Sequence, residues 1–143
     1  EIEGDFELDP RFREKHYTEI DTNYFNIVIE GMDLAVNGEA GSGSTARFAQ
    51  VPGITVCGKT GTAENPHGED HSIFIAFAPK DDPKIAIAVY IENGGFGGTW
   101  AAPTTKLMIE KYLNDSIAVP WWEEYILNAK INYNNVQENQ HMD

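Results

Sequence analysis

The chain has 143 residues, of which 41% are hydrophobic, which is enough for one folded domain. Its acidic residues outnumber the basic ones by 23 to 10, which argues against a nucleic-acid-binding protein because contacts to phosphates need a basic face. The single cysteine excludes an intramolecular disulfide and a cysteine-based zinc cluster. No apolar run approaches the roughly 18 residues that could span a bilayer.

The first predicted element is a helix that Asp21 caps and that ends near Asn37, just before Gly38. Its apolar residues recur at helical spacing and form a wide stripe: Tyr24, Phe25, Ile27, Val28, Ile29, Met32, Leu34 and Val36. A face this wide predicts a helix that is packed on more than one side. A short helical turn is predicted over residues 45–49, after a glycine- and serine-rich segment.

Three predicted strands follow, over residues 54–63, 72–78 and 84–92, and the last two have the composition of central strands. The connections between them are too short for crossover helices, so the sheet is expected to be antiparallel. In the third strand bulky Ile and Val residues alternate with Ala86 and Ala88. The small face that these alanines create suits the close approach of a helix.

A glycine-rich connector over residues 93–98 leads into a helix predicted for residues 100–114. Its predicted apolar stripe consists of Ala101, Leu107, Met108 and Tyr112. Pro120 can open a last helix, packed through Trp121, Trp122, Tyr125 and Ile126. We therefore predict an α+β domain over residues 1–131, with an antiparallel sheet flanked by helices. Residues 132–143 are dominated by polar side chains and are expected to form a disordered tail.

The first predicted strand delivers the segment Gly-Lys-Thr-Gly-Thr-Ala, residues 58–63, to its end. Lys59 can supply a fixed positive charge to a substrate carboxylate and lower the pKa of a nearby hydroxyl or amine. Thr60 and Thr62 lie two residues apart and so present their hydroxyls on one face. Gly61 removes a side chain between them, which lets another backbone approach closely. An edge strand of this kind can pair with an extended peptide by strand addition.

Two other interpretations of the sequence compete with this one. Residues 53–60 satisfy the pattern of a phosphate-binding loop, but Ile, Thr, Val and Cys at the four variable positions are a strand composition. Four side chains that can bind metals occur between His67 and His71, yet their spacing matches no established ligand motif. We therefore predict neither a nucleotide, nor a metal, nor another cofactor. Cys57, within the apolar strand, is expected to be a buried core thiol.

Lys-Thr-Gly at the end of a strand is one of three signatures of penicillin-recognising serine enzymes, the others being Ser-x-x-Lys and Ser-x-Asn. None of the four serines of the chain begins either of the other two signatures. Six stretches nevertheless resemble, in order and spacing, the C-terminal part of the transpeptidase domain of elongation-type class B penicillin-binding proteins (penicillin-binding protein 2). They are residues 30–38, 43–47, 51–64, 70–79, 92–98 and 101–103. The likeness runs from about residue 20 to residue 114.

The resemblance implies a penicillin-binding transpeptidase or serine β-lactamase-like fold. It also implies a D,D-transpeptidase that cross-links peptidoglycan stem peptides ending in D-Ala-D-Ala and that β-lactam antibiotics acylate. Carried over residue by residue, Lys59 would organise the catalytic polar network, and Thr60 and Thr62 would hold the carboxylate of the substrate or drug. The backbone N–H of Thr62 would form half of the oxyanion hole, and Gly61 would make room for the bound peptide.

The family's nucleophile, its Ser-x-Asn motif and the strands that complete its sheet belong to an N-terminal half that this sequence does not contain. We therefore expect the chain to be inactive alone, and to self-associate through an open edge of residues 84–92. The family implies a parent protein anchored in the bacterial cytoplasmic membrane, with this domain in the periplasm. Three alternatives remain open: a β-lactam sensor, half of a serine β-lactamase, and a non-catalytic interaction domain.

Overall fold

The structure, a computed structural model, describes residues 9–14 and 16–131. The predicted order of elements, one helix, three strands and two helices, is confirmed. The elements are α1 (Thr22–Asn37), β1 (Cys57–Ala63), β2 (His71–Ala78), β3 (Ile85–Ile91), α2 (Ala101–Asn114) and α3 (Pro120–Leu127), with short 3-10 turns at Pro10–Phe12 and Arg47–Ala49. The predicted polar tail over residues 132–143 lies outside the described residues.

The three strands form one antiparallel sheet in the order β1-β2-β3, as predicted. Thr60 lies opposite Phe74 in the first pair of strands, and Phe74 lies opposite Val89 in the second. β2 is central, but β3, which has the composition of a central strand, pairs only with β2 among the described residues. β1 and β3 are therefore both edge strands in the part of the chain that the structure describes. The α+β architecture is confirmed.

The core lies between one face of this sheet and α2. Side chains of β2 alternate between buried and partly exposed, and the buried set points to the core. Its largest member is Phe74, which is fully buried. The other buried core residues come from the segments around the sheet: Val36, Ala46, Ala49, Val51, Val56, Ala76, Ala78, Ala101, Ala102 and Ile109.

The apolar stripe predicted for α2 is confirmed at Ala101 but is wrong at Met108 and Tyr112, which are 49% and 65% exposed. The buried face is formed by Ala101, Ala102, Pro103, Thr105, Lys106, Ile109 and Glu110. Two charged residues one helical turn apart occupy this face and form an ion pair, with Lys106 Nζ 3.9 Å from Glu110 Oε1. The spacing of apolar residues in the sequence does not predict a buried face that contains such a pair.

α1 begins as predicted, with Asp21 Oδ1 accepting a hydrogen bond from the backbone N–H of Asn23 at 2.8 Å. The packing on several sides is not observed, because Val36 is the one buried residue of the helix among the described residues. Most of the wide stripe is exposed, for example Ile27 at 67% and Leu34 at 64%. The sheet face that carries Ala86 and Ala88 is likewise open among the described residues.

Ionic contacts fix α1 against the turn between β2 and β3. Lys80 Nζ lies 2.7 Å from Glu30 Oε1 and 2.7 Å from Asp33 Oδ2. The side chain of Asn37 donates hydrogen bonds to Asp33 Oδ1 at 2.7 Å and to the carbonyl of Val56 at 2.9 Å. The helix is thus joined to the residue that leads into β1, which helps to set the position of that strand.

The aromatic residues predicted to pack α3 form a partly exposed cluster against α2 and the 3-10 turn at Arg47–Ala49. Trp122 lies against Phe48 with their ring centroids 5.4 Å apart, and Tyr125 stacks on Trp100 at 5.3 Å. Trp121 stacks on Tyr125 at 5.2 Å but remains 56% exposed. Among the described residues, the helices are too short or too polar for any of them to traverse a bilayer.

Candidate functional site

The end of β1 borders a cleft with a volume of about 780 Å³. Thr60 and Thr62 both line it, which agrees with the prediction that their side chains share one face. The hydroxyls of Thr60 and Thr45 are 3.0 Å apart and share a hydrogen bond. The remaining lining residues are Ser44, Arg47, Phe48, Gln50, Phe96, Gly97, Gly98 and Thr99.

Lys59 lies apart from the two threonines. As the neighbour of Thr60 along an extended strand it points to the opposite face of the sheet, and it is not among the residues that line the cleft. Its Nζ donates a hydrogen bond to the carbonyl of Thr60 at 2.8 Å. The structure therefore brings together the two predicted carboxylate-binding hydroxyls, while the predicted catalytic lysine faces away from them.

The loop after β3 forms the wall of the cleft opposite the 3-10 turn. Its Gly97 lies directly over the β1–β2 pair, since a Cβ atom at Gly97 would be 2.6 Å from the carbonyl oxygen of Gly61 and would also collide with the carbonyl of Ile73. The glycine that permits this approach is Gly97, because a Cβ atom at Gly61 would meet the side chain of Ile73, at 3.3 Å, and not the loop. The approach of another backbone at Gly61 itself stays a prediction. The loop is held in place by Ser72, whose Oγ donates to the carbonyl of Phe96 at 3.0 Å and accepts from the N–H of Ala101 at 3.2 Å.

Arg47 and Phe48 are site residues to which the sequence analysis gave no role. Arg47 is exposed and is the one charged residue among the described residues that line the cleft. In a chain of net charge −13, this cleft is therefore locally positive, as the binding of a carboxylate requires. The signal available in the sequence was the position of Arg47 in residues 43–47, one of the stretches that carry the family likeness.

Ser44 is the one serine among the lining residues of the cleft, and its surroundings do not activate it. Its Oγ lies 3.2 Å from the carbonyl oxygens of Gly38 and Glu39. Carbonyl groups accept a hydrogen bond but do not remove a proton at neutral pH, whereas a serine nucleophile needs an adjacent base. The described part of the site thus offers donors for a carboxylate and an edge strand for a peptide, without an activated nucleophile.

The structure contradicts the phosphate-binding alternative. Such a loop needs a helix that begins at its lysine, whereas residues 57–63 are a β-strand through Lys59. His71, from the metal alternative, accepts a hydrogen bond from the N–H of Asn93 at 3.1 Å and packs on Tyr90. No three His, Cys, Asp or Glu side chains are grouped as metal ligands within residues 9–14 and 16–131.

Cys57 is buried, as predicted. Desolvation by its apolar surroundings raises the pKa of the thiol to about 11. The thiolate, which is the reactive form, is therefore scarce at neutral pH, and Cys57 is a packing residue of β1 rather than a nucleophile.

Comparison with known proteins gives the same family as the motif and the cleft. The model of the penicillin binding protein transpeptidase domain matches residues 7–110. The peptidoglycan D,D-transpeptidase PbpA of Mycobacterium tuberculosis is 45% identical over 74 residues, which are 44% of this chain and 15% of that protein. The chain spans about a sixth of the length of the curated relatives it matches.

Two solved structures extend the likeness to the fold. Penicillin-binding protein 2 of Pseudomonas aeruginosa, in complex with WCK 5153, is 36% identical, with a TM-score of 0.57 over 65% of this chain and 20% of that chain. Penicillin-binding protein A of Mycobacterium tuberculosis, as its imipenem acyl-enzyme, is 33% identical, with a TM-score of 0.54 over 66% of this chain and 20% of that chain. Because the family model covers most of the chain and includes both the Lys-Thr-Gly strand and the loop that walls its cleft, the chain belongs to the penicillin-binding protein transpeptidase family.

Proposed function

We propose that the chain is the C-terminal part of the transpeptidase domain of a serine-type D-Ala-D-Ala transpeptidase that cross-links peptidoglycan. The observation that carries the proposal is the pair Thr60 and Thr62 on an edge strand, facing a cleft whose charged lining residue is Arg47. This arrangement fits an extended peptide that pairs with β1 and ends in a carboxylate. The relative that forms an imipenem acyl-enzyme supports β-lactams as ligands of the same cleft.

Each motif residue has a role in this proposal. Thr60 and Thr62 donate hydrogen bonds to the carboxylate of the substrate or the drug, and these are stronger than bonds between neutral groups. Because one edge of β1 is unpaired among the described residues, alternate backbone N–H groups point away from β2, and that of Thr62 supplies half of the oxyanion hole. Loss of one such donor costs about 10²–10³ in rate.

Lys59 acts toward a different set of groups in this proposal. Its ammonium is on the other face of β1, where Thr60 O is its one hydrogen-bond partner among the described residues. There it would organise the nucleophile and base that the complete domain supplies from its upstream half. The chain alone would bind weakly and catalyse nothing. Its parent would be anchored in the bacterial cytoplasmic membrane, with this domain in the periplasm.

Covalent labelling with fluorescent penicillin tests the proposal. The longer parent protein, its Lys59→Ala variant and the isolated chain are treated side by side and compared on a denaturing gel. We expect the parent to be labelled, the variant to lose at least about 10²-fold in labelling rate because its nucleophile is no longer organised, and the chain to remain unlabelled. Lys84→Ala is the matched control and should be labelled normally. It removes an exposed lysine next to β3, the strand at the edge of the sheet opposite β1.

Each unexpected result has a distinct meaning. Label on the isolated chain would show that one of its own serines is the nucleophile. If the parent were not labelled, it would be interpreted as a non-catalytic interaction domain and not as a transpeptidase. Labelling followed by fast release of the hydrolysed drug would identify the parent as a β-lactamase.

A further inference from the structure

A second, smaller groove adjoins the cleft on the side of α3. It encloses about 390 Å³ and is lined by Asn37, Arg47, Phe48, Gln50, Val51, Pro52, Lys106 and Trp122. Arg47, Phe48 and Gln50 line both spaces. We propose that this groove is a subsite for a second carboxylate, carried by the same peptide that occupies the cleft. The assignment of a peptide rests on the proposed function, whereas the affinity of the groove for a carboxylate does not.

Lys106 is the first observation behind this proposal. The residue is only 8% exposed, and its Nζ lies 5.6 Å from the centroid of the Trp122 ring. Its nearest anionic atom among the described residues, Glu110 Oε1, is 3.9 Å away, beyond hydrogen-bonding distance. No hydrogen bond from this ammonium is found in the described part of the chain. Because buried ammonium groups are costly without hydrogen bonds, Lys106 has donors to offer to a ligand in the groove.

Glu110 does not use up these donors. It is fully buried, its Oε2 accepts a hydrogen bond from the N–H of Ala118 at 3.3 Å, and its Oε1 has no hydrogen-bond partner among the described residues. The carboxylate thus holds the connector to α3 and balances the charge of Lys106, but does not satisfy its N–H groups. A ligand oxygen could complete the coordination of the ammonium.

Arg47 supplies the second charge. It is exposed, and its guanidinium makes no hydrogen bond or ion pair with another described residue. Lys106 and Glu110 form a neutral pair, so Arg47 gives the groove a net positive charge. No acidic side chain of the described residues lines it. The planar guanidinium fork matches a carboxylate. The amide nitrogens of Asn37 and Gln50 already donate to backbone carbonyls.

The walls of the groove argue for a carboxylate on an organic chain rather than a bare ion. Phe48, Val51, Pro52 and Trp122 give it apolar sides, which suit the carbon atoms that carry such a group. Since Arg47, Phe48 and Gln50 line both the groove and the cleft, one extended peptide could place its terminal carboxylate at Thr60 and Thr62 and an acidic side chain at Lys106. We therefore infer a preference for acidic peptides.

Intrinsic tryptophan fluorescence of the chain gives a direct readout. The chain has three tryptophans, and all three belong to the aromatic cluster beside Lys106. Sodium acetate is added to one sample and sodium chloride, as the control, to another at equal ionic strength. We expect a saturable change with acetate only, weakened about tenfold or more by Arg47→Gln, as for the loss of a charge-assisted hydrogen bond. The double variant Lys106→Met with Glu110→Gln, which leaves no unpaired buried charge, should abolish it.

Lys111→Met is the matched control, since it removes a lysine of the same helix that is exposed and paired with Asp115. It should leave the acetate response unchanged. An absent or unsaturable response in the parent chain, or equal loss in the control, would overturn the subsite. Arg47→Gln alone keeps the test valid if the double variant fails to fold, because Arg47 is exposed and is not part of the buried core.

Peptides that end in D-Ala-D-Ala then identify the source of the carboxylate. One carries a glutamate and the other a glutamine at the same upstream position. We expect the acidic peptide to bind about tenfold more tightly, with the advantage lost in Arg47→Gln but kept in Thr62→Val, which weakens both peptides. Equal affinities for the two peptides would overturn the proposal that the groove binds an acidic side chain of the peptide. Binding of acetate without either peptide would support the carboxylate subsite and overturn its assignment to the peptide, whereas the proposed function is decided separately by penicillin labelling of the parent protein.

Discussion

Neighbouring residues of β1 act on different parts of the site because a strand turns alternate side chains to opposite faces. Thr60 and Thr62 face the cleft, whereas Lys59 between Gly58 and Thr60 does not. The tripeptide could be recognised from the sequence, and the shared face of the threonines followed from their spacing. What a side chain on the other face meets depends on segments distant in sequence, which is why the role of Lys59 stays a prediction.

The loop that walls the cleft depends on Gly97. A methyl group there would collide with the carbonyl of Ile73 and lie 2.6 Å from that of Gly61, so Gly97→Ala must displace the loop from β1. We expect destabilisation of about 1–3 kcal/mol, typical of overpacking, measured by chemical unfolding. In the longer parent protein the same variant should slow penicillin labelling.

Gly31→Ala is the control for that substitution. Gly31 lies in α1, and a Cβ atom there would meet nothing within 4 Å. Alanine should therefore stabilise the helix by about 0.5–1 kcal/mol through its higher helix propensity. If both variants were equally stable, the close approach of Gly97 to the strand would not be a real constraint.

At the scale of elements, the ionic contacts of Lys80 predict how pH affects the attachment of α1. The hydrogen bond from Lys80 holds the pKa of Asp33 below its usual range. The bonds to Asp33 and Glu30 raise the pKa of Lys80. The contribution of Asp33 to the free energy of unfolding is thus complete above its unfolded pKa of about 3.9. It is lost as pH falls through the pKa of Asp33 in the folded chain. The contribution of Lys80 is complete below about pH 10.4 and is lost as pH rises through its folded value.

Lys80→Met should therefore lower the free energy of unfolding at pH 7, and by more than the loss of one exposed ion pair, because it removes the contacts to Glu30 and Asp33 together. The difference from the parent chain should be constant between about pH 5 and 9 and shrink below about pH 4. Lys84→Met removes an exposed pair, with side chains 56% and 78% exposed, and should cost less than about 1 kcal/mol. If Lys80→Met lowered the free energy of unfolding by the same amount at pH 3 and at pH 7, this explanation would be wrong.

The elements differ in how far the sequence could predict them. β2 was predicted to within one residue, because a run of apolar residues between turn signals has few alternatives. The buried face of α2 was wrongly predicted because it includes the ion pair of Lys106 and Glu110, whose burial depends on segments beyond the helix, Ala118 and Trp122. Arg47 was overlooked because a single exposed arginine has no periodicity. Its importance comes from the fold, which places it where two spaces meet.

At the scale of the whole molecule, the described residues leave much apolar surface uncovered. α1 exposes Ile27, Val28 and Leu34, and the sheet exposes Ile75 at 48%. Surfaces this apolar normally pack against other protein. The chain also spans only about a sixth of the length of the relatives it matches. The proposal that an upstream half completes the domain explains both this short span and the uncovered apolar surface.

The open edge of β3 predicts how the isolated chain behaves in solution. β3 has β2 as its one partner among the described residues, and Ile85, Ile87 and Val89 are only partly buried. An unprotected apolar edge pairs with other chains, so we expect light scattering after size exclusion to show species larger than a monomer. Ala88→Lys places a charge on this strand and should shift the distribution toward monomer, whereas Ala118→Lys, an exposed site outside the sheet, should not. A monodisperse monomer that melts cooperatively would contradict the prediction, because it would mean that three strands and the helices around them form a complete domain.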